Sequence, residues 1–129
     1  MYTTHVALWL TVVGDYEEAE RMSRRALSTA IRLGRSAIYI AWLALTMARI
    51  SLEAENVERA VTLLGFTMTH VPDTDSMVGG VWAAEERIFV REIEERAQSA
   101  LSQDAYRSLF EMGGALNVGQ AIALLKQAS

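Results

Sequence analysis

Apolar residues recur along the chain at helical spacing, in stretches set apart by capping residues and glycines, and the pattern predicts about seven helices and no strand. The first, His5 to Val13, carries Val6, Leu8, Trp9, Leu10, Val12 and Val13 on every side, so it needs cover from more than one neighbour. Gly14 breaks it. Asp15 caps a second helix that runs to about Leu33, with Glu18 completing a capping box and Gly34 as C-cap. Its apolar stripe is Ala19, Met22, Ala26, Ala30 and Leu33, with Leu27 and Ile31 beside it, and Glu17 with Arg21 and Glu20 with Arg24 are favourable pairs four apart. Ser36 caps a third helix to about Glu53 that is uncharged from Ala37 to Ala48 and therefore central. Arg35 and Arg49 bracket too few apolar residues for the roughly 20 that cross a bilayer. Asn56 caps a fourth helix through about His70. Pro72, Asp73, Asp75 and the pair Gly79 and Gly80 then break the pattern, and 71–80 is expected to be a mobile loop. An amphipathic helix follows from Val81 to Leu101, with Trp82, Phe89, Ile93, Ala97 and Ala100 on one side. Ser102 caps a short helix to Met112, Gly113 and Gly114 end it, and Asn117 with Gln120 makes a capping box for the last helix, to Gln127.

One ten-residue stretch occurs twice. NVERAVTLLG, Asn56 to Gly65, repeats GDYEEAERMS, Gly14 to Ser23, when Asp15 is set on Asn56, Tyr16 on Val57, Glu17 on Glu58, Ala19 on Ala60 and Met22 on Leu63. Cap, small residue and apolar anchor fall at matched positions, which predicts a stack of antiparallel helix pairs with Ala19 and Ala60 buried where paired helices approach closely. Residues 1–129 read as a single all-α domain: two degenerate helix-pair repeats over 1–70, the loop 71–80, and a three-helix C-terminal cap over 81–129.

Composition narrows what such a stack can do. With 51% hydrophobic residues and one proline the chain has the apolar content of a packed helical domain. A net charge of −4 has the wrong sign for binding that depends on neutralising phosphates, so direct nucleic-acid binding is not expected. There is no cysteine, which excludes a disulfide framework or thiolate metal site and is compatible with a reducing cytoplasm. No basic residue precedes the N-terminal apolar run and acidic residues follow it, against a signal peptide. Neither a membrane location nor a cofactor is expected.

The chemistry-bearing residues have structural readings that outweigh the functional ones. His5 and His70 lack a second ligand three or four positions away. Asp73, Asp75 and Gly79 lack the terminal glutamate of a calcium loop. Glu85, Glu86, Glu92, Glu94 and Glu95 are interleaved with arginines and have no histidine or lysine beside them, so they read as a solvated face. The turn at Gly113 and Gly114 between two helices could suggest a DNA-reading motif, yet only Lys126 lies beyond it as a cation. Tyr39, Trp42 and Arg49 stand out: an aromatic and arginine set on the first helix of the second repeat is a candidate partner groove. Leu8, Trp9 and Val13 are candidates for self-association, because no helix precedes theirs to cover it, and a homodimer is expected through that face.

ERAVTLLG in Glu58 to Gly65, followed by a broken loop and a charged helix ending ERAQSALSQDAYRSLFEMGGALNVGQAIALL, resembles the C-terminal end of large bacterial signalling ATPases, the LuxR-type and cyclase-linked regulators that close with tetratricopeptide-like repeats. The matching positions are Arg59, Ala60, Leu63, Leu64 and Gly65, then Leu101, Tyr106, Phe110, Gly113, Leu116, Ala121 and Ile122. The resemblance implies a tetratricopeptide-like fold and a non-catalytic interaction or regulatory role toward a protein partner or other domains of a parent regulator. No GxxxxGK[ST] loop is present, so the ATPase, cyclase and DNA-binding activities do not carry over. The copies are 41 residues apart, Ala19 to Ala60, against about 34 for a standard tetratricopeptide. The alternative function is a small-molecule-sensing helical domain with an internal apolar pocket.

Overall fold

The computed structural model describes residues 14–34, 37–70 and 84–127. They form six helices and, among the described residues, no strand: α1 (Tyr16–Leu33), α2 (Ala37–Glu53), α3 (Val57–His70), α4 (Ala84–Ala100), α5 (Gln103–Gly114) and α6 (Val118–Lys126). The helix expected over His5 to Val13 and the loop 71–80 lie outside the described residues, as does Trp82.

Four caps read from sequence, Asp15, Asn56, Ser102 and Asn117, are in place, while Ser36 lies outside the described residues. Asp15 Oδ1 accepts from Glu18 N at 3.3 Å, Asn56 Oδ1 from Arg59 N at 3.3 Å and Ser102 Oγ from Ala105 N at 3.1 Å. At α6 the box closes both ways, Gln120 N to Asn117 Oδ1 at 2.8 Å and Asn117 N to Gln120 Oε1 at 2.9 Å. At α1 only half of the box forms, because the Glu18 carboxylate is taken by Arg21 one turn on. Arg21 therefore pairs with Glu18 and not with Glu17 as expected, while Glu20 with Arg24 holds at 3.5 Å.

The two copies share their entry turns. Gly14 (φ 89°) and Glu55 (φ 63°), each just before its cap, both adopt the left-handed region. At Glu55 the reason is the end of α2: Asn56 N donates to Ser51 O at 2.9 Å and Glu55 N to Leu52 O at 3.1 Å, the paired bonds of a Schellman turn whose left-handed residue is usually glycine. Ala19 and Ala60 are both fully buried, as the matched register requires.

Two helices make the centre. Along α2, Ile40, Leu43, Ala44, Leu45, Met47 and Ala48 are all buried, as are Ala60 to Thr67 without interruption along α3. A helix apolar on every side must be surrounded. α2 packs on α1, α3, α4 and α6, and α3 packs on α2, α4 and α5. Thr67 Oγ1, buried between the two, donates to Ala41 O of α2 at 2.9 Å, so the central seam carries a satisfied polar tie as well as apolar contact.

Four stripe assignments and one helix end need correction. Leu33 and Ile31 are exposed and Met22 is only partly buried, and Ser23 lies inside instead, because α1 turns Ala19, Ser23, Ala26, Leu27 and Ala30 toward its neighbour. Ala100 is exposed at the end of α4, whereas Phe89, Ile93 and Ala97 are buried as expected. Gly113 and Gly114 do not end α5; the helix continues through both to a cap at Ala115. They are glycine for closeness and not for a break. A Cβ at Gly113 would fall on the carbonyl oxygen of Thr62 in α3, and one at Gly65 would fall on that of Phe110 in α5, so the two helices meet backbone to backbone through reciprocal notches.

Candidate interaction surfaces

Of the candidate groove residues on α2, Tyr39 and Arg49 are each only 8% exposed, and Trp42 is partly buried against the core. Arg49 is spent inside the fold. Its guanidinium donates to Glu53 Oε1 at 2.7 Å, to Glu92 Oε2 at 3.0 Å and to the Tyr16 hydroxyl at 3.4 Å, and its carbon sits 5.6 Å from the centre of the Tyr16 ring. Arg96 reaches the same Glu53 oxygen at 2.7 Å. Burial alone would lower the Arg49 pKa; the Glu53 hydrogen bond and the nearby charges more than offset it, and Arg96 and Arg49 together hold Glu53 below the usual carboxylate range. One side chain thereby joins α1, α2 and α4. Glu53 and Glu92 remain partly solvated, so each pair is worth at most about 1 kcal/mol and the network acts mainly by fixing geometry. Trp42 is the part of the trio that retains an open side.

A second arginine pair has no counterpart in the sequence reading. Arg24 of α1 and Arg59 of α3 both point at the end of α6: Arg24 donates to Leu125 O at 3.3 Å, Lys126 O at 3.1 Å and Gln127 O at 2.7 Å, and Arg59 donates to Leu124 O at 3.3 Å, Leu125 O at 3.4 Å and Gln127 O at 3.1 Å. Arg59 also donates to the Ser51 hydroxyl. Burial, with the Arg24 charge beside it, holds the Arg59 pKa below its usual value, though a guanidinium stays protonated at any ordinary pH. Arg59 belongs to the quoted ERA pattern, but its partners are backbone carbonyls 65 and more residues away, which no local signal marks.

On α4 and α5 the acidic face is partly drawn in. Burial pushes the Glu94 pKa up, and burial with the Glu94 charge pushes the Tyr106 phenol up to about 12. Tyr106 stacks on Phe110 with centroids 6.0 Å apart. A phenol whose folded pKa is raised contributes stability that is intact below its unfolded value of about 10 and lost as pH rises through the folded one. Ultraviolet titration of the phenolates should therefore show Tyr106 ionising near pH 12, with stability falling above pH 10; Tyr106→Phe should remove that late step and flatten the stability loss between pH 10 and 12.

The other singled-out residues are accounted for locally. His70 Nδ1 lies 3.0 Å from Phe66 O, and its ring is 4.2 Å from the Phe66 ring, a contact within the last turn of α3. Among the described residues no three carboxylates or histidines are grouped to hold a metal, and no helix is long and apolar enough to cross a membrane. A concavity of about 880 Å³ runs along α1, lined by Asp15, Glu17, Glu18, Glu20, Arg21, Arg24, Arg25, Ser28 and Thr29; it is open and charged, unlike the enclosed apolar pocket a sensing domain would use. His5, Asp73, Asp75, Gly79, Glu85 and Glu86, and the self-association candidates Leu8, Trp9 and Val13, lie outside the residues whose side chains are described. Among the described residues the exposed large apolar side chains are Ile31 and Leu33 on α1, Ile88 on α4 and Met112 on α5. No protein-family model matches the chain, and neither curated proteins nor solved structures include one similar to it.

Proposed function

We propose that the chain is a non-catalytic helical interaction module of tetratricopeptide-like type, the C-terminal part of a cytoplasmic bacterial transcriptional or signalling regulator, docking a protein partner or the regulator's own other domains. The observation that carries this reading is the repeat register: left-handed residue, cap and buried alanine recur at Gly14, Asp15 and Ala19 and again at Glu55, Asn56 and Ala60. A scaffold whose repeats specify stacking leaves recognition to its surface. Trp42, Ile88 and Met112 offer apolar contact area on three different helices. No reaction and no cofactor are assigned. Homodimerisation through the face carrying Leu8, Trp9 and Val13 belongs to the same proposal, with parent domains taking that face in a longer regulator.

Hydrogen exchange and thermal shift together test it. Addition of the ATPase region of a regulator of this class should protect amides near Trp42 of α2, Ile88 of α4 or Met112 of α5, while a panel of small metabolites leaves Tm unchanged. A metabolite that raises Tm by several degrees without any protein partner would overturn the reading in favour of a sensing domain.

A further inference from the structure

Among the described elements α1 packs mainly on α2, and its other side carries an exposed stripe, Glu17, Arg21, Arg25, Ser28 and Arg32, at helical spacing. The helix is ordered by charge. Asp15, Glu17, Glu18 and Glu20 all precede Arg21, Arg24, Arg25 and Arg32. The helix dipole favours such an order only in the first and last turns, whereas Glu20, Arg21, Arg24 and Arg25 lie in the middle of the helix. Arg21 with Glu18 and Arg24 with Glu20 neutralise part of the charge within α1. Glu17 and Arg25 are left without an ion pair among the described residues, and the concavity that both line is open. They stand eight positions apart, about 12 Å along the helix, too far to meet each other.

We propose that this face of α1 docks α1 of a second copy of the chain, antiparallel and two-fold about Arg21. The two-fold axis reverses the charge order, so each Glu17 meets Arg25 of the other copy and each Glu18 faces its Arg24. Arg21 falls on the axis, where its own Glu18 offsets the like charge opposite. Parallel pairing would set Glu17 on Glu17 and Arg25 on Arg25 and is selected against. The second copy is the occupant because the required complement, acidic residues followed by arginines on one exposed stripe, is what this chain itself presents. Residues 1–13 do not supply it, since they contain no Asp, Glu, Lys or Arg. The contacts are exposed ion pairs, so the dimer is weak and sensitive to salt. It does not use Leu8, Trp9 or Val13, and it holds whether or not the chain is part of a regulator.

Sedimentation equilibrium of the full chain tests it, with circular dichroism to show that each variant keeps its helices. The parent should dimerise reversibly at low salt, and raising the salt from about 0.01 M to about 0.15 M should weaken the dimer at least tenfold as the screening length shortens. Glu17→Arg and Arg25→Glu, each at an exposed position, set like charges against each other and should separately weaken it at least tenfold. Mixing those two variants restores both cross-pairs, so the mixture should associate at least tenfold more tightly than either variant alone. The double variant Glu17→Arg with Arg25→Glu, in which the charges are exchanged, should return to within threefold of the parent. A parent that stays monomeric at about 1 mM in low salt overturns the proposal. So does a mixture no tighter than its components, or a dimer that Trp9→Glu abolishes and Glu17→Arg leaves intact.

Discussion

Gly113→Ala should destabilise the fold by about 1–3 kcal/mol even though alanine is the better helix former. In an open helix the exchange would gain close to 1 kcal/mol. Here the new Cβ would lie 2.7 Å from the Thr62 carbonyl carbon and 3.1 Å from Phe66 N, and nearer still to the Thr62 oxygen. All three atoms are backbone. No rotamer change relieves the clash, so α3 and α5 must move apart along one of the most extensive contacts in the molecule. Gly65→Ala should lose a similar amount against the Phe110 backbone, and the double variant should lose less than the sum, since one separation of the helices relieves both clashes. Gly119→Ala in α6 is the control: its Cβ would meet only the Asn117 side chain at 3.4 Å, and the substitution should be neutral or stabilising. Urea unfolding of the three single variants decides; a Gly113→Ala chain as stable as Gly119→Ala would show that α3 and α5 do not touch as described.

Ala60→Leu should cost about 1–3 kcal/mol for a different reason, since added side-chain atoms must be fitted into a fully packed seam. Ala60 is fully buried among the central residues that include Leu63 and Leu64. Ala19, its counterpart in the first copy, is fully buried as well, and Ala19→Leu should be destabilising in the same way. Ala100→Leu provides the comparison, because Ala100 is exposed and a larger side chain there displaces only water. If denaturation ranks Ala60→Leu with Ala100→Leu, the register that pairs the two copies is wrong.

What was legible in the sequence is what depends on neighbours three or four residues away. Asp15, Asn56, Ser102 and Asn117 all cap as their local context implies, Gly34 takes the left-handed C-cap at φ 64°, and the uncharged run of α2 is the buried centre. Glycine is where local reasoning fails. Gly34 and Gly113 are the same letter, yet one is required by its own φ and the other by a backbone 51 positions earlier in the chain, Thr62. Arginine fails likewise. Arg49 stands out in the sequence because it shares a helix with Tyr39 and Trp42, but whether such a residue faces a partner or closes an internal network depends on Glu92 and Tyr16 arriving from other helices. Arg24 and Arg59 look like ordinary helix-surface cations, and their role is set by the end of α6.

That last arrangement bears on how the protein is made. The carbonyls that Arg24 engages belong to residues 101 to 103 positions later, and those of Arg59 to residues 65 to 68 positions later. At a synthesis rate of roughly 5–20 residues per second, Arg24 is completed about 5–20 s before its partners exist. The hairpin of α2 and α3 needs only local contacts and can form meanwhile, so the nascent chain carries an uncovered seat for Ala121 and Leu125 beside two cations until α6 has been made. A chain released early, short of Leu124, would keep that surface permanently and display it to chaperones and proteases. The end of α6 thus registers that synthesis has passed Gln127: the arginines are covered only in molecules that reached it.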